Sequence, residues 1–452
     1  MLDPAQQIKR PPGKNLGRRS AEGPPKPADF ALSSLAGVRD TSSMRAFFSA
    51  LKRSLPILAM PVLLGAPAVA GDWPQWRGPQ RTGVAEEQGF LTAWPSGEPP
   101  IAWRAKVGLG FSSIVVGDGR AFTVGHVDKQ DTVFCFDAVS GQLGWKHSYE
   151  AQLGDVFFEG GTTGTPTLAG DRLYWLSRWG DAFCFEAATG RIVWSKNLQK
   201  ETNLPGPDWG FTGAPLVVGD LVILNMGDAG VAVEKASGKV VWKSAGKNCG
   251  YSTPLPLERD GRTLAVMASS QSYVAVDVRD GQEAWRIRWL TQYNVNAADP
   301  VFDGDRVFLS TGYGKGGALY RLGSGEPEQL WKTKALRSQM NAAVLHQGHL
   351  YGADGDTTEK AALKCLDFAT GKEQWAQANF GSGAVILADG QLIALSGPGE
   401  LMIGPASPAG FQPTTRAQVL GGKCWTAPVL ARGLIYCRNS RGEIAVVDAR
   451  KK

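Results

Sequence analysis

The stretch DAVSGQLGWK, residues 137–146, returns as EAATGRIVWSK at 186–196, EKASGKVVWKS at 234–244 and DFATGKEQWAQ at 367–377. Each copy carries an acidic residue, a Ser/Thr-Gly turn and a tryptophan four residues after the glycine. A supersecondary unit repeated at intervals of a few tens of residues is the mark of a propeller or solenoid. With Trp145, Trp194, Trp242, Trp285, Trp331 and Trp375 as a ruler, six units follow one another. Each holds a tight turn between two short β-rich runs, as in GDGR at 117 and AGDR at 169. The second unit displays four strands, TPTLA, RLYWLS, AFCFEA and RIVWSK.

A seventh unit, from GAVILADGQLIALSGPGELMIGPA to RAQVLGG, has no tryptophan. The chain then supplies only three more strands, TAPVL, LIYCR and IAVVDA. The fourth is expected from IAWRAKV, residues 101–107, with Trp103 in the tryptophan position. A blade shared by both ends of the domain ties the ring shut and removes a free sheet edge. The expected fold is all-β: an eight-bladed propeller of four-stranded antiparallel blades over residues 71–452. The glycines permit the turns, and the tryptophans are expected to wedge between blades. Burying roughly 200 Å² of indole at about 25 cal/mol/Å² is worth about 5 kcal/mol before entropy. The tryptophans of the repeat are therefore architectural.

The chain of 452 residues has 48 Lys/Arg against 42 Asp/Glu. That excess lies wholly in residues 1–70, which hold 10 basic and 4 acidic residues; the remainder is balanced at 38 of each. The body has no surplus of charge to attract nucleic acid, which is set aside. From Met44 the sequence reads as a secretory signal. Arg45, Lys52 and Arg53 precede an apolar run at 55–64, and Ala68-Val69-Ala70 is a small-residue cleavage site. The run is broken by Pro56 and Pro61 and falls short of the roughly 20 residues of a membrane span. No transmembrane segment is expected in the mature chain, which would be periplasmic or secreted. No cysteine follows the cleavage motif to carry a lipid. Residues 1–43, rich in Pro, Lys, Arg and Ser, are expected to be a disordered extension or a misassigned start.

The Ala-x-x-Gly-x-x-x-Trp pattern, intact at Ala138/Gly141/Trp145 and Ala187/Gly190/Trp194, resembles the pyrroloquinoline-quinone (PQQ)-type propeller repeat. Elsewhere Lys235, Val278 or Phe368 replaces the alanine. The opening DWPQWRGPQRTGV also resembles the start of exported members. The resemblance covers residues 72–449 and implies the propeller, but it spans quinoprotein dehydrogenases and non-catalytic scaffolds alike. The quinoproteins typically pair a vicinal Cys-Cys disulfide with PQQ and calcium. Here Cys135, Cys184, Cys249, Cys365, Cys424 and Cys437 are all apart, and no C-x-x-C-H haem motif occurs. A quinone-dependent oxidoreductase with PQQ and calcium is the alternative to a scaffold that holds no cofactor. The barrel-assembly propeller lipoprotein is a relative of the scaffold kind.

Other chemistry is sparse. Cys135, Cys184 and Cys365 occupy equivalent third strands and are expected as buried thiols. Cys249 and Cys424 precede first strands near the central mouth, where exposed thiols or metal ligands are conceivable roles. His346 and His349 flank a turn without a third ligand in register, while His126 and His147 join no motif. GADGDTTEK, counting Glu359, lacks the spacing of a calcium loop. The loops that enter the first strands are richer: GLGFSS, GPDWGFTG, KNCGYST, QYNVNAAD, RSQMNAA and GKCWTAP share one axial face. Their aromatic and amide groups suit ligand binding. Trp209, Tyr251, Asn294, Asn296, Gln339, Asn341, Lys423 and Trp425 are the candidate binding residues, for a protein or small polar partner of a monomeric propeller. No catalytic or metal-ligating residue stands out. N-terminal sequencing of the mature protein is expected to begin at or next to Gly71; a start that retains residues 1–43 would show that the leader is read wrongly.

Overall fold

The computed structural model describes residues 71–94, 97–155, 158–356 and 361–451. The segments 1–43 and 44–70 therefore lie outside the described residues, as does Glu359. Eight antiparallel sheets follow one another around a ring, and each of the first six blades is contiguous in sequence. Blade 1 runs through Val115–Gly117, Arg120–Val127, Gln130–Asp137 and Leu143–Glu150. The last blade is closed as the sequence predicts. Ile101–Lys106 pairs antiparallel with Glu443–Asp448, beside Leu434–Arg438 and Val429–Ala431.

The repeat's tryptophan bridges blades in a constant way. Trp145 Nε1 donates to Ala187 O at 2.9 Å, Trp194 to Lys235 O at 3.0 Å and Trp242 to Val278 O at 2.9 Å. Trp375 reaches Ser407 O at 2.8 Å, and Trp103 closes the circle on Ala138 O at 3.0 Å. The rings of Trp103, Trp145, Trp194, Trp242 and Trp331 also lie on the turn glycine of the next blade. A Cβ added to Gly190 would stand 2.6 Å from Trp145, and one added to Gly238 would stand 2.7 Å from Trp194. These glycines have φ of 73° and 68°. The residue must be glycine for two reasons at once, the left-handed turn and the indole above it.

What aims the indole is a β-bulge. Between Ile192 and Trp194 the outer strand skips Val193 in its pairing with the third strand. The same shift precedes Trp103, Trp145, Trp242, Trp285, Trp331 and Trp375. Blade 7, whose outer strand Thr415–Gln418 lacks the tryptophan, pairs without a shift. The extra residue turns the strand so that the ring meets the neighbouring blade, and it leaves Val193 and Val241 at the surface. Trp285 alone departs. Its Nε1 has no partner among the described residues, and Arg259 Nη2 instead takes Leu322 O of the next blade at 2.9 Å.

One element extends the four-stranded plan. Val84–Ala85 adds a parallel strand on the inner side of blade 7, against Leu387 and Ala388. It belongs to a segment that runs along the axis. Trp73 exchanges backbone hydrogen bonds with Val116 of blade 1, and Pro74 O accepts from Leu168 N of blade 2. Arg81 Nη2 donates to Pro215 O before blade 3, and Trp76 Nε1 donates to Asp299 Oδ2 before blade 5, at 2.6 Å. Arg77 donates to Ala342 O and Ala343 O before blade 6, at 2.7 and 2.9 Å, and Asp72 pairs with Arg432 of blade 8. The first strands of a propeller line its central channel, so DWPQWRGPQRTGV is a plug. Blades 8 and 1 are also joined by the fully buried Arg438. It donates to Ser112 O, Thr123 Oγ1 and Val124 O, and burial pulls its guanidinium down to about 9.

Trp194→Ala is expected to cost roughly 3–5 kcal/mol as a large-to-small change at a buried site. Val193→Ala, one residue away on the surface, should stay within about 0.5 kcal/mol. Equal losses in denaturant melts of the two variants would show that the indole is not the wedge.

Candidate functional site

The loops that enter the first strands of blades 8, 1 and 2 meet through aromatic rings. Trp425 stacks on Phe111, with ring centres 5.5 Å apart and planes at 22°, and Phe111 meets Phe158 at 5.7 Å. The Lys423 ammonium lies 5.0 Å above the Trp425 ring and donates to Glu159 Oε2 at 2.7 Å. That ion pair latches the loop before blade 8 to the long connection that precedes blade 2. Burial pushes the Glu159 carboxyl up, but Lys423 outweighs it and holds the group below its ordinary range. The latch is therefore fully formed above the usual carboxylate pKa and weakens as pH falls through the depressed value.

Arg178 organises the neighbouring loops. Its Nη1 donates to Leu153 O and Gly161 O and its Nη2 to Trp209 O, each at 3.2 Å. The guanidinium sits 5.1 Å from the rings of both Phe158 and Trp179. Burial lowers its pKa, against the pull of Asp131. Trp209, held in this way, meets Tyr251 edge-on at 5.8 Å, and Thr212 Oγ1 donates to Tyr251 O at 2.6 Å. Below lies a buried pair, His126 Nδ1 to Asp131 Oδ1 at 2.8 Å. Burial pushes the Asp131 carboxyl up from its usual range.

The eight residues singled out from the sequence thus separate by placement. Lys423 and Trp425 stand in the first cluster, and Trp209 and Tyr251 form a second beside it. Asn294 is exposed at the tip of the loop before blade 5, next to Tyr293 and apart from both clusters. Asn296 is fully buried, and its Nδ2 serves Ser269 O, Ser270 O and Trp289 O. Asn341 is buried too and ties its loop to Trp425 O at 2.8 Å. Gln339 is buried at the base of the same loop. Sequence reasoning passed over Phe111, Phe158, Glu159, Trp179 and Arg178. Phe111 lies in the marked loop GLGFSS, Phe158 and Glu159 lie in the connection that enters blade 2, and Arg178 and Trp179 share a turn that no pattern distinguishes.

The chain matches the family model described as outer membrane protein assembly factor BamB over residues 129–377. It belongs to that family. No curated protein sequence matches it. Among solved structures, BamB from Moraxella catarrhalis is similar at 16% identity over 77% of this chain and 99% of that one, with a TM-score of 0.59. Quinohemoprotein alcohol dehydrogenase from Comamonas testosteroni is similar at 14% identity over 84% of this chain and 81% of that one, with a TM-score of 0.60. The computationally designed Ika8 protein is similar at 11% identity over 80% of this chain and all of that one, with a TM-score of 0.54. Likeness at these identities establishes the fold, and the fold serves an assembly factor, an oxidoreductase and a design alike.

The quinoprotein relatives raise the question of whether a quinone could sit on this axis. The space there is taken up by Trp73, Trp76 and Arg77 of the plug. The cavity they enclose with Ser113, Asn341 and Ala342 is about 10 Å³, room for one water molecule. Among the described residues, no three His, Cys, Asp or Glu side chains are grouped to hold a metal ion. The donor set and the space do not fit a tricyclic quinone with its cation.

All six cysteines are free and buried, Cys249 and Cys424 included. An exposed or metal-binding role for those two is thereby corrected: each side chain is packed under its loop, Cys249 among Leu204, Phe211 and Met226. Burial pushes the Cys249 and Cys424 thiols up to about 12 and the Cys184 and Cys365 thiols to about 11. A raised folded pKa means stability that is complete below the ordinary thiol value and is lost as pH climbs toward the folded one. The denaturation midpoint is expected to fall from about pH 9 upward. At pH 8 a thiol reagent should find no reactive cysteine in the native protein and all six after unfolding.

Proposed function

We propose that the protein is a non-catalytic, extracytoplasmic binding propeller. It acts as a monomer, and its axial loop face takes a protein partner or a polar ligand. The carrying observation is the cluster of Trp425, Phe111 and Phe158 under the Lys423–Glu159 latch, with Trp209 and Tyr251 beside it. Partly exposed aromatic rings set among charged and amide groups are the composition of binding hot spots. They need no reacting group. The family description, an outer membrane assembly factor, supports a protein as the partner and an extracytoplasmic location. The filled axis argues in the same direction, since the ligand must be met by loops rather than swallowed by the channel.

Trp209→Ala combined with Trp425→Ala is the test. Each is expected to weaken partner capture by roughly 30-fold, the loss of a hot spot of about 2 kcal/mol. Each should cost the fold only about 0.5–1.5 kcal/mol, the worth of an aromatic pair. Capture is read by cross-linking in the native host followed by quantitative mass spectrometry. Unchanged capture would remove the face from consideration. Stoichiometric binding of PQQ with calcium and reduction of a dye by the purified protein would replace the reading with the alternative, a quinone-dependent oxidoreductase.

A further inference from the structure

The plug does more than fill space. Beyond the inner strands at Val116, Leu168 and Leu387 and the ion pair to Arg432, the groups it binds belong to the loops that enter the first strands. Pro215 ends the loop that carries Trp209. Ala342 and Ala343 follow Asn341. Asp299 closes the loop of Asn294 and Asn296, and its Oδ1 accepts from Thr253 N at 2.8 Å, two residues after Tyr251. Trp76, Arg77 and Arg81 thereby reach the loops before blades 3, 4, 5 and 6 from below. Asn341 extends the chain of contacts to Trp425 O and hence to blade 8.

The geometry of the segment shows that these contacts are held against a cost. Arg77 and Arg81 both have left-handed backbones, with φ of 62° and 56°. A non-glycine residue keeps that conformation only where its surroundings over-determine it. Here the surroundings are the carbonyls of the loops. Arg77 spends Nη1 and Nη2 on Ala342, Ala343 and its own Thr82, and Gly83 N returns a bond to Arg77 O at 2.8 Å. Arg77, Arg81 and Asp299 are all buried, and burial lowers the arginines and raises the carboxyl. A buried guanidinium is costly unless its donors meet acceptors. Those of Arg77 do, whereas Arg81 bonds Pro215 O through Nη2 and leaves Nη1 without a partner among the described residues.

We propose that Trp76, Arg77 and Arg81 are positioning residues for the axial face, so that the N-terminal segment templates the binding loops from inside the channel. The inference rests on the reading of that face as the binding surface, but its test does not need a ligand. Hydrogen exchange is followed on the full chain for Trp76→Phe, Arg77→Lys and Arg77→Met. Peptides covering 206–215, 249–254, 292–299 and 337–343 report the loops, and peptides from the outer strands Ile192–Asn197 and Glu283–Arg288 report the blades.

Trp76→Phe removes only the donor to Asp299, so it should keep the fold and speed exchange about ten-fold in 249–254 and 292–299 alone. Arg77→Met should speed 337–343 by at least as much, with Arg77→Lys recovering part of the protection. Outer strands should keep their rates in Trp76→Phe and Arg77→Lys. Loops that exchange as in the parent protein would overturn the proposal, as would an acceleration shared equally by loops and outer strands. Loops loosened as expected but with partner capture intact would leave the template standing and refute the binding face instead.

Discussion

The ring depends on one contact repeated at six of its seams: an indole whose N–H donates to a carbonyl in the turn of the next blade, laid at five of them on that turn's glycine. Sheets packed face to face can slide, because apolar contact has no direction. The indole supplies direction. Its hydrogen bond fixes how far one blade stands from the next and at what height, and its area supplies the burial. The bulge before each tryptophan is the backbone's share of the same arrangement, since an unbulged strand would aim the ring elsewhere. Blade 7 confirms the coupling by its exception, for it lacks the tryptophan and the bulge together.

This is why the fold could be read from the chain. A contact that recurs leaves copies of its requirements: in five blades a glycine at positive φ stands four positions before the tryptophan. The closing strand was legible on the same ground, because Trp103 carries the mark even though it stands more than three hundred residues from its partner strand. The bulges left no such mark. The skipped residue is Val193 in one blade, Ala102 in another and Gln374 in a third, so its identity carries no information.

The plug and the candidate binding face were harder, for a shared reason. Each is a single copy, built by side chains that reach across the ring. Nothing near Arg77 in sequence says that its acceptors are Ala342 and Ala343, and nothing near Arg178 names Leu153, Gly161 and Trp209. The sequence marked these loops, because loop composition is local. It could not separate Trp425, which faces outward over Phe111, from Asn296, whose amide is wholly engaged by its own loop. That distinction is made by distant backbone, and only three-dimensional proximity reveals it.

The position of the plug also bears on how such a molecule can be made. A chain synthesised from its N-terminus produces the axial segment and the closing strand first, and neither has a partner at that time. The plug needs inner strands or their flanking loops and turns from seven blades, and Ile101–Lys106 needs Glu443–Asp448. Both wait, unpaired, through the synthesis of every blade between. Contacts of such sequence separation form late and slowly, and a waiting strand edge invites pairing with the wrong chain. A chain cut short of its final blade has no means of closing its ring and leaves the first strand permanently open. The ring cannot close before Glu443–Asp448 has been made.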